Sequence, residues 1–509
     1  MTVNSAHPRA PTRSALLALA FVEGALVIFI EVAGARQLAP YYGSTHIVWT
    51  AQITATLLCL AAGYALGGRV SRARAVGPAL VFAGLWTALS ALLRAPALEI
   101  TSHLGVAPGA FAAALILYGP ALALLGSVGP NLIAGLTKRR KDAGSAAGRV
   151  LFVSTLGGIA GGWLTTLVLI PRASLSGSMS GAAILLAAAG LFAWSHTGLQ
   201  PRRAWLSLAV LVALIAAAPA PRRALQNGEM RAQVISSEHG ATGLVQVLDV
   251  PAADARFLLV DGTVQGAEQR STGKAMVEFS DYLLEAGLAF QPRATNALLL
   301  GLGAGTLARG SAARGLDTTA IEIDPAVVSA ARSHFALPDA VRVVVADART
   351  ALRRSDDRFD LIFLDVYCAE SFPWHLATRE AFLAIRDRLQ PGGRLVINAI
   401  THASGHSPGL DRLESTALSV FGEAWVFSGD AAPGALRNAT IVVGEQLGAV
   451  VLSRLPARLR SHFERARPGQ QRVAALHDDL SDFDSLDAAL RLTWRASLTP
   501  GLDPRSLAD

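Results

Sequence analysis

The pattern of apolar and polar positions divides the 509-residue chain into two unlike halves. Up to about Ala220 the chain is a series of long apolar runs, and beyond it charged residues return and short apolar segments alternate with helical ones. Seven of the runs have roughly the 20-residue length that a bilayer-spanning helix needs. They lie near 14–34, 47–68, 76–97, 108–136, 149–171, 175–195 and 203–219. The sequence therefore predicts a multi-pass α-helical membrane domain over residues 1–220.

Proline and glycine within the apolar runs predict how these helices pack. The fourth run contains Pro120 and Pro130, which predict a kinked or broken helix because proline removes a backbone hydrogen bond. Small residues recur in the second and fifth runs and predict close contact between helix backbones. They are Gly63, Gly67, Gly68, Gly157, Gly158, Gly161 and Gly162.

Charged residues occur inside the first apolar run, where Glu23 and Glu31 are followed by Arg36. A carboxylate in the membrane is costly and usually faces a partner or a water-filled cavity. Two interpretations stay open. One is a Glu–Arg pair, such as Glu31 with Arg36, that fixes helix packing. The other is a polar site for a cationic or amine-bearing substrate.

The second half alternates between short strands and helices. Residues 221–266 predict a linker and a small antiparallel β unit, since turn residues separate the strands there. From 267 to 450 the regular alternation predicts a parallel, doubly wound, Rossmann-like sheet. Residues 451–509 are expected to form a C-terminal tail. The predicted fold is a helical membrane domain followed by an α/β domain that begins with a small β unit.

A glycine-rich turn follows the first strand of the α/β series, within the stretch from Ala297 to Asp324. Gly301, Gly303 and Gly305 let the backbone approach a ligand, and the next helix directs its N-terminus at that ligand. Glu322 follows about 20 residues later, where a carboxylate can bind both hydroxyls of a ribose. A nucleoside-type ligand is therefore expected.

Two further acids, Asp347 and Asp365, also end predicted strands. Ligands of doubly wound sheets bind at the carboxyl ends of the strands. The three acids Glu322, Asp347 and Asp365 are therefore expected to line one cleft.

Composition narrows the ligand classes. The net charge of +7 is spread along the chain, with no basic run interleaved with aromatics, so no nucleic-acid partner is expected. Basic residues of the first half lie between the apolar runs, as they do beside a lipid bilayer. Two cysteines, Cys59 and Cys368, and the histidines give no metal-ligand spacing, so no metal is expected.

Five motifs of the second half together resemble one family. They are VDGTVQ (260–265), LLLGLGAGT (298–306), IEIDP (321–325), VVADAR (344–349) and FDLIFLDVY (359–367). The half from about 235 to 450 resembles spermidine synthases, the polyamine aminopropyltransferases, which share the fold of S-adenosylmethionine-dependent methyltransferases. The whole chain resembles the membrane-fused branch of that family, in its first-span pattern from Glu31 to Gly43 and its late HDDLSDFDSL (477–486).

This resemblance implies a transferase. Its co-substrate would be decarboxylated S-adenosylmethionine or S-adenosylmethionine itself, and its acceptor a small amine or polyamine. Asp365 matches the family's general base, which takes a proton from the attacking amine. Soluble members are usually dimers, which implies a homodimer. The remaining implied contacts are Gly301, Gly303 and Gly305 with the methionine-derived part, Glu322 with the ribose, Asp347 and Ala348 with the adenine, and Gln265, Tyr282 and Tyr367 with the acceptor.

Three departures from the family pattern concern the donor and acceptor sites. Ala304 stands where soluble spermidine synthases carry an aspartate that faces the free amine of the decarboxylated donor, so ordinary S-adenosylmethionine becomes an alternative donor. The family's Tyr-His-Glu is replaced by residues 279–282. Cys368, with Glu370 nearby, replaces the aspartate that grips the diamine. The resemblance is therefore stronger at the co-substrate site than at the diamine site.

Three functions stay open. The first is a membrane-anchored transferase acting on an amine. The second is an S-adenosylmethionine-dependent methyltransferase acting on a membrane substrate, which Ala304 favours. The third is a polyamine transporter or sensor whose second half only binds a ligand, an alternative supported by Glu23 and Glu31. Asp365 favours catalysis over mere binding.

Membrane topology presents a conflict. The basic segments between apolar runs, strongest at Lys138–Lys141, belong in the cytoplasm by the positive-inside rule. Seven crossings would then leave the second half outside, whereas a cytosolic co-substrate requires it inside. Either the span count is off by one, or the positive-inside rule fails here, or the interpretation of the co-substrate is wrong. We expect a multi-pass protein of the cell (inner) membrane whose second half is cytoplasmic.

Overall fold

The structure is a computed structural model, and it divides the chain into two compact units, Met1–Arg222 with Ala508–Asp509 and Arg223–Leu507. The finer predicted boundaries at 266/267 and 450/451 stay predictions. The residues that the structure describes are 12–42, 46–137, 139–170, 175–196, 201–217, 224–227, 230–277, 279–367, 372–402, 407–428, 436–447 and 466–478.

The first unit has a helix at each of the seven predicted positions. They are α1 (Arg13–Tyr42), α2 (His46–Val70), α3 (Val76–Ser102), α4 (Val106–Leu136), α5 (Ala143–Leu164), α6 (Leu175–Ser195) and α7 (Pro201–Ala217). In the described residues, six helices are long and apolar enough to cross a membrane. The seventh, α7, has 17 residues. At about 1.5 Å per residue it is shorter than a hydrocarbon core of about 30 Å. The predicted count of seven spans stays a prediction.

Helix α4 runs without interruption from Val106 to Leu136, with Pro120 and Pro130 inside it. The helix is thus not broken, and the alternative expectation of a kink stays a prediction. Membrane helices tolerate proline because neighbouring helices and side chains compensate the backbone groups that it frees.

Glycines bring the helix backbones together, as predicted. A Cβ on Gly157 of α5 would lie 2.0 Å from the Phe21 carbonyl oxygen of α1. A Cβ on Gly63 of α2 would lie 2.2 Å from the Ala123 carbonyl oxygen of α4. No side chain larger than hydrogen fits at either crossing, so small-residue packing is confirmed.

Large apolar side chains cover much of the outside of the first unit. Leu57, Phe152 and Trp163 are exposed by 61%, 64% and 65%. Exposed apolar surface of this extent is typical of a membrane-facing protein.

The second unit begins with a five-stranded antiparallel sheet, as predicted. Its strands follow one another in chain order: β1 (Ala224–Asn227), β2 (Met230–His239), β3 (Leu244–Val250), β4 (Ala255–Val260) and β5 (Thr263–Gln269). Asp324, at the start of a helix of the α/β part, accepts hydrogen bonds from the Thr242 backbone N–H (2.8 Å) and hydroxyl (2.6 Å). This link holds the β2–β3 turn beside the α/β sheet.

An eight-stranded sheet forms the rest of the second unit, in the order β13-β11-β12-β10-β9-β6-β7-β8. Its strands are β6 (Asn296–Leu300), β7 (Asp317–Glu322), β8 (Arg342–Val345), β9 (Phe359–Leu364), β10 (Leu389–His402), β11 (Glu423–Ser428), β12 (Leu436–Gly444) and β13 (Arg467–Pro468). The helices of this unit are α8 (Phe279–Phe290), α9 (Thr306–Ala313), α10 (Pro325–His334), α11 (Ala348–Arg354), α12 (Arg379–Arg386) and α13 (Pro408–Phe421).

Strands β6 to β10 pair in parallel, but β12 pairs antiparallel with both β10 and β11. The expectation of a parallel sheet is wrong at this edge, because β12 lies between β11 and β10 and runs opposite to both.

Alternate residues of β6 enter two different cores. Leu298 and Leu300 lie in one cluster, and Ala297 and Leu299 in the other. The sheet is thus buried on both faces, which explains the unbroken apolar runs of its strands.

Candidate active site

The glycine turn after β6 is built from residues with positive φ. Gly301, Gly303 and Gly305 have φ of +94°, +53° and +76°, a region that favours glycine. A Cβ on Gly301 would lie 1.9 Å from the carbonyl oxygen of Asp365. The turn therefore packs directly on the end of β9. Gly305 is the N-cap of α9, so free N–H groups of the first helical turn lie beside the glycines.

Glu322, at the end of β7, is fixed by two backbone donors. It accepts hydrogen bonds from the N–H of Leu302 (3.0 Å) and of Asp324 (2.9 Å). Burial raises the pKa of Glu322, and these hydrogen bonds oppose that shift. A carboxylate can accept about four hydrogen bonds, so Glu322 keeps acceptor capacity for a ligand. The next residue, Ile323, is 43% exposed at this edge although it is large and apolar.

Asp347 is the N-cap of α11, and its carboxylate also contacts the ring of His375. Its carboxylate accepts a hydrogen bond from the Thr350 N–H (2.8 Å) and lies 3.0 Å from His375 Nε2. Burial acts to raise the pKa of Asp347, but the hydrogen bonds from Thr350 and His375 prevail and hold it below the usual value. Ala348, the first residue of α11, is buried.

Asp365, which directly follows β9, is held by an amide. Its backbone N–H donates to the Leu300 carbonyl oxygen (3.0 Å), and its Oδ1 accepts from Asn398 Nδ2 (2.8 Å). Burial raises the pKa of Asp365 to about 6, against the lowering effect of the Asn398 hydrogen bond. The structure thus places a half-buried carboxyl group with a near-neutral pKa beside the glycine turn.

The residues predicted on the acceptor side lie in different surroundings. The Gln265 carbonyl oxygen is 3.3 Å from a Cβ built on Gly303, so β5 approaches the glycine turn. The Tyr367 hydroxyl accepts a hydrogen bond from the Ile400 N–H (2.9 Å). Tyr282, on α8, packs against the core cluster that contains Leu299. Cys368 and Glu370 lie outside the described residues.

The acidic closing motif reaches the same region. Asp478 forms an ion pair with Arg349, with 2.7 Å between Oδ1 and Nη1, and accepts a hydrogen bond from the Thr378 hydroxyl (2.8 Å). Arg349 also donates to the His375 carbonyl oxygen (3.2 Å). The predicted C-terminal tail therefore contributes Asp478 to the support of His375. The rest of the motif, 479–486, lies outside the described residues.

Sequence reasoning missed His375, Asn398 and Ile323. His375 is one of several scattered histidines, and nothing local in the sequence pairs it with Asp347. Asn398 had a weak signal, as a polar residue in the otherwise apolar stretch LVINAI. Ile323 had a clearer one, since it separates two acids at a strand end.

The polar residues of the first span include one that contacts a neighbouring helix. Glu23 is buried, and its Oε2 accepts a hydrogen bond from the Ser154 hydroxyl of α5 (2.8 Å). Glu31 and Arg36 are half-buried. Within the described residues, no hydrogen bond or ion pair joins these two side chains. Glu23 thus contributes to the contact between α1 and α5.

Comparison with known proteins bears on the second unit. Residues 297–393 match the family described as a methyltransferase domain. A probable polyamine aminopropyl transferase of Bifidobacterium longum is 30% identical over 169 residues, which are 33% of this chain and 37% of that protein. Over these residues the second unit is similar to a polyamine aminopropyltransferase.

Two further proteins are similar to parts of this chain. An N-terminal histidine N-methyltransferase of Emericella nidulans is 34% identical over 150 residues, covering 28% of this chain and 26% of that protein. A probable spermidine synthase structure from Corynebacterium glutamicum is 18% identical, with a TM-score of 0.40, over 52% of this chain and 98% of that one. The chain spans less than half the length of the curated relatives it matches.

Proposed function

We propose that this chain is a membrane-bound, spermidine synthase-like transferase. It moves an aminopropyl or related group from decarboxylated S-adenosylmethionine, or from S-adenosylmethionine, to an amine. The observation that carries the proposal is Asp365, a carboxyl group with a pKa of about 6 whose backbone touches the glycine turn.

The cleft edge offers complementary groups for such a donor. The glycine turn carries no side chains at Gly301, Gly303 and Gly305, so its backbone can lie against the methionine-derived part. Glu322 binds the ribose hydroxyls with its remaining acceptor capacity. Asp347 and Ala348 lie on the adenine side, where the exposed apolar side chain of Ile323 covers one face of the base.

Asp365 supplies the proton acceptor that the reaction needs. An amine in its ammonium form cannot attack, and Oδ2 of Asp365 removes the proton. The amine nitrogen then bonds to the carbon attached to the donor sulfonium. The carbon–sulfur bond breaks, its electron pair stays on sulfur, and the product is a neutral thioether. Within the described residues no cation contributes to the pKa of Asp365, so its charge is available to attract an ammonium group.

Replacement of Asp365 by Asn tests the proposal. Asp365→Asn is expected to lower transfer to an amine by about 100-fold or more while calorimetric donor affinity stays near that of the wild type. Asp360→Asn is the control, because Asp360 lies near the start of β9 and Asp365 follows its end. This variant should retain activity. Full transfer activity in Asp365→Asn would refute the role of the base.

Methyl transfer is the second candidate, and two observations favour it. The match to a histidine N-methyltransferase is one. The other is Ala304, which is buried and whose Cβ lies 2.5 Å from a Cβ built on Gly266. No carboxylate stands at this position to attract the amine of a decarboxylated donor. Calorimetry with both donors, followed by the mass of the alkylated product, separates the two reactions.

We also propose that the first unit crosses the membrane six times. With α7 not spanning, the basic segments near Arg9, Arg72, Arg139 and Arg202 all lie on the cytoplasmic side. An even number of crossings also leaves Arg223–Leu507 on that side, where a cytosolic donor is available. The conflict that seven spans created is thereby removed.

A further inference from the structure

Two asparagines form a hydrogen-bonded series that ends at the carboxylate of Asp365. Asn398 lies on β10, the strand next to β9, and donates from Nδ2 to Asp365 Oδ1 (2.8 Å). Asn438 lies on β12 and donates from Nδ2 to Asn398 Oδ1 (2.9 Å). Asn398 is 3% exposed, so its amide is shielded from water.

The direction of the two hydrogen bonds depends on Asn438. An amide presents an acceptor on one side and donors on the other, and an ionised carboxylate only accepts. Because Asn438 donates to the oxygen of Asn398, the NH₂ group of Asn398 must face Asp365. Were Asn398 reversed, its oxygen would face the carboxylate oxygen, and only a protonated Asp365 would fit.

Among the residues that the structure describes, Asn398 donates to the side chain of Asp365. Burial and the Asn398 amide are the two influences on its pKa, and no charged group of the described residues contributes. The neighbouring Tyr367 directs its hydroxyl oxygen to the Ile400 N–H. The amide of Asn398 therefore stabilises the ionised form against the effect of burial.

We propose that Asn398, oriented by Asn438, is a positioning residue that keeps Asp365 ionised and leaves Oδ2 to accept the proton of the amine. The inference rests on the proposed function, since it assigns a task to the base. Asn398 acts through Asp365 and contacts neither donor nor acceptor in this role.

Asn398→Leu tests the proposal, because leucine has a similar shape but no donor. The acidic limb of kcat/KM is expected to move upward by about 1 pH unit. Activity would then fall about fivefold at pH 6 and remain near that of the wild type at pH 9. Asn438→Leu should shift the limb in the same direction by a smaller amount, since it frees the Asn398 amide to reverse.

Asn296→Leu is the matched control. Asn296 also makes two hydrogen bonds within this sheet, to the Arg358 carbonyl oxygen (3.2 Å) and from the Asp360 N–H (2.8 Å). Asn296 is the first residue of β6, at the end of the strand away from Asp365. Its replacement should therefore leave the midpoint of the acidic limb unchanged. An equal loss of activity at every pH in both Asn398→Leu and Asn438→Leu would show a merely structural role and overturn the proposal.

A measurement without turnover separates this inference from the proposed function. The infrared carboxyl band of Asp365, identified by its absence in Asp365→Asn, reports protonation directly. If the band titrates near pH 6 in the wild type and higher in the asparagine variants, the inference stands even if no transfer is detected, and the proposed function then fails alone. If the wild type is active but the band titrates identically in all variants, the inference fails alone.

Discussion

At the scale of single residues, the site depends on one carboxyl group and one glycine in contact. Asp365 gains a near-neutral pKa from burial, and Gly301 allows the backbone of Asp365 to come within van der Waals distance of the glycine turn. Both features follow from strands β6 and β9 ending side by side, as their parallel register requires.

The first expectation at this scale concerns pH. Asp365 must be ionised to accept a proton, and its pKa lies near 6. Activity should therefore rise with pH through a midpoint of about 6 and fall about tenfold per unit below it. The pH profile of kcat/KM checks this. A midpoint near the ordinary pKa of an aspartate, about 4, would contradict the desolvated environment described for this group.

Gly301→Ala should lower activity by more than the backbone strain of an alanine at positive φ would. The new Cβ would lie 1.9 Å from the Asp365 carbonyl oxygen, and the displaced strand end should lower kcat/KM about 100-fold. Gly315→Ala is the control, since Gly315 also has positive φ (+81°) but open space around its Cβ position. Equal effects of the two substitutions on activity would mean that backbone strain, and not the contact with Asp365, is decisive.

How far the sequence predicts such a site depends on the range of each interaction. Glu322 and Asp365 stand at the ends of apolar strands, a local pattern that any doubly wound sheet produces. Asn398 acts on Asp365 from 33 positions away in the chain, and His375 acts on Asp347 from 28. Their roles appear only when the order of the strands and the path of the loops are known.

At the scale of elements, glycines determine which helices of the first unit touch. Helices α1 and α5 approach closely at Gly24, Gly157 and Gly161. Glycine spacing in the sequence predicted such contacts. It could not name the partner helices, nor could strand patterns reveal the antiparallel edge of the sheet, because both depend on the order in which elements pack.

Two alanine substitutions in α5 should have opposite effects. Gly157→Ala would place a Cβ 2.0 Å from the Phe21 carbonyl oxygen and force α1 and α5 apart, which should cost about 1–3 kcal/mol. Gly148→Ala meets nothing within 4 Å and should stabilise the helix by about 0.5–1 kcal/mol. Thermal unfolding in detergent measures both. A destabilised Gly148→Ala would indicate that this face of α5 is also packed.

At the scale of the whole molecule, the number of crossings determines where the second unit lies. Hydropathy alone suggested seven spans, since it registers apolar character and not the length of the helix that forms. The described part of α7 has 17 residues, and we propose six crossings. The homodimer implied by the family resemblance stays a prediction.

Reporter fusions test this topology. A reporter that is active only in the cytoplasm should be active after the C-terminus and after Lys141, and inactive between α3 and α4 near Leu104. The same pattern should be inverted for a reporter that is active only outside. An external C-terminus would mean that α7 crosses the membrane after all.

The ion pair between Arg349 and Asp478 has a consequence for biosynthesis. The two residues are 129 positions apart in the chain. At about 5–20 residues per second, the ribosome adds Asp478 roughly 6–26 s after Arg349. During that interval the nascent chain already contains its six apolar helices and its glycine turn, while His375 lacks the support that Asp478 gives through Arg349. Nascent chains arrested before Arg467 should therefore be cleaved by protease near His375, and completed chains should resist. The synthesis of Asp478 thus sets the moment at which His375 gains its full support.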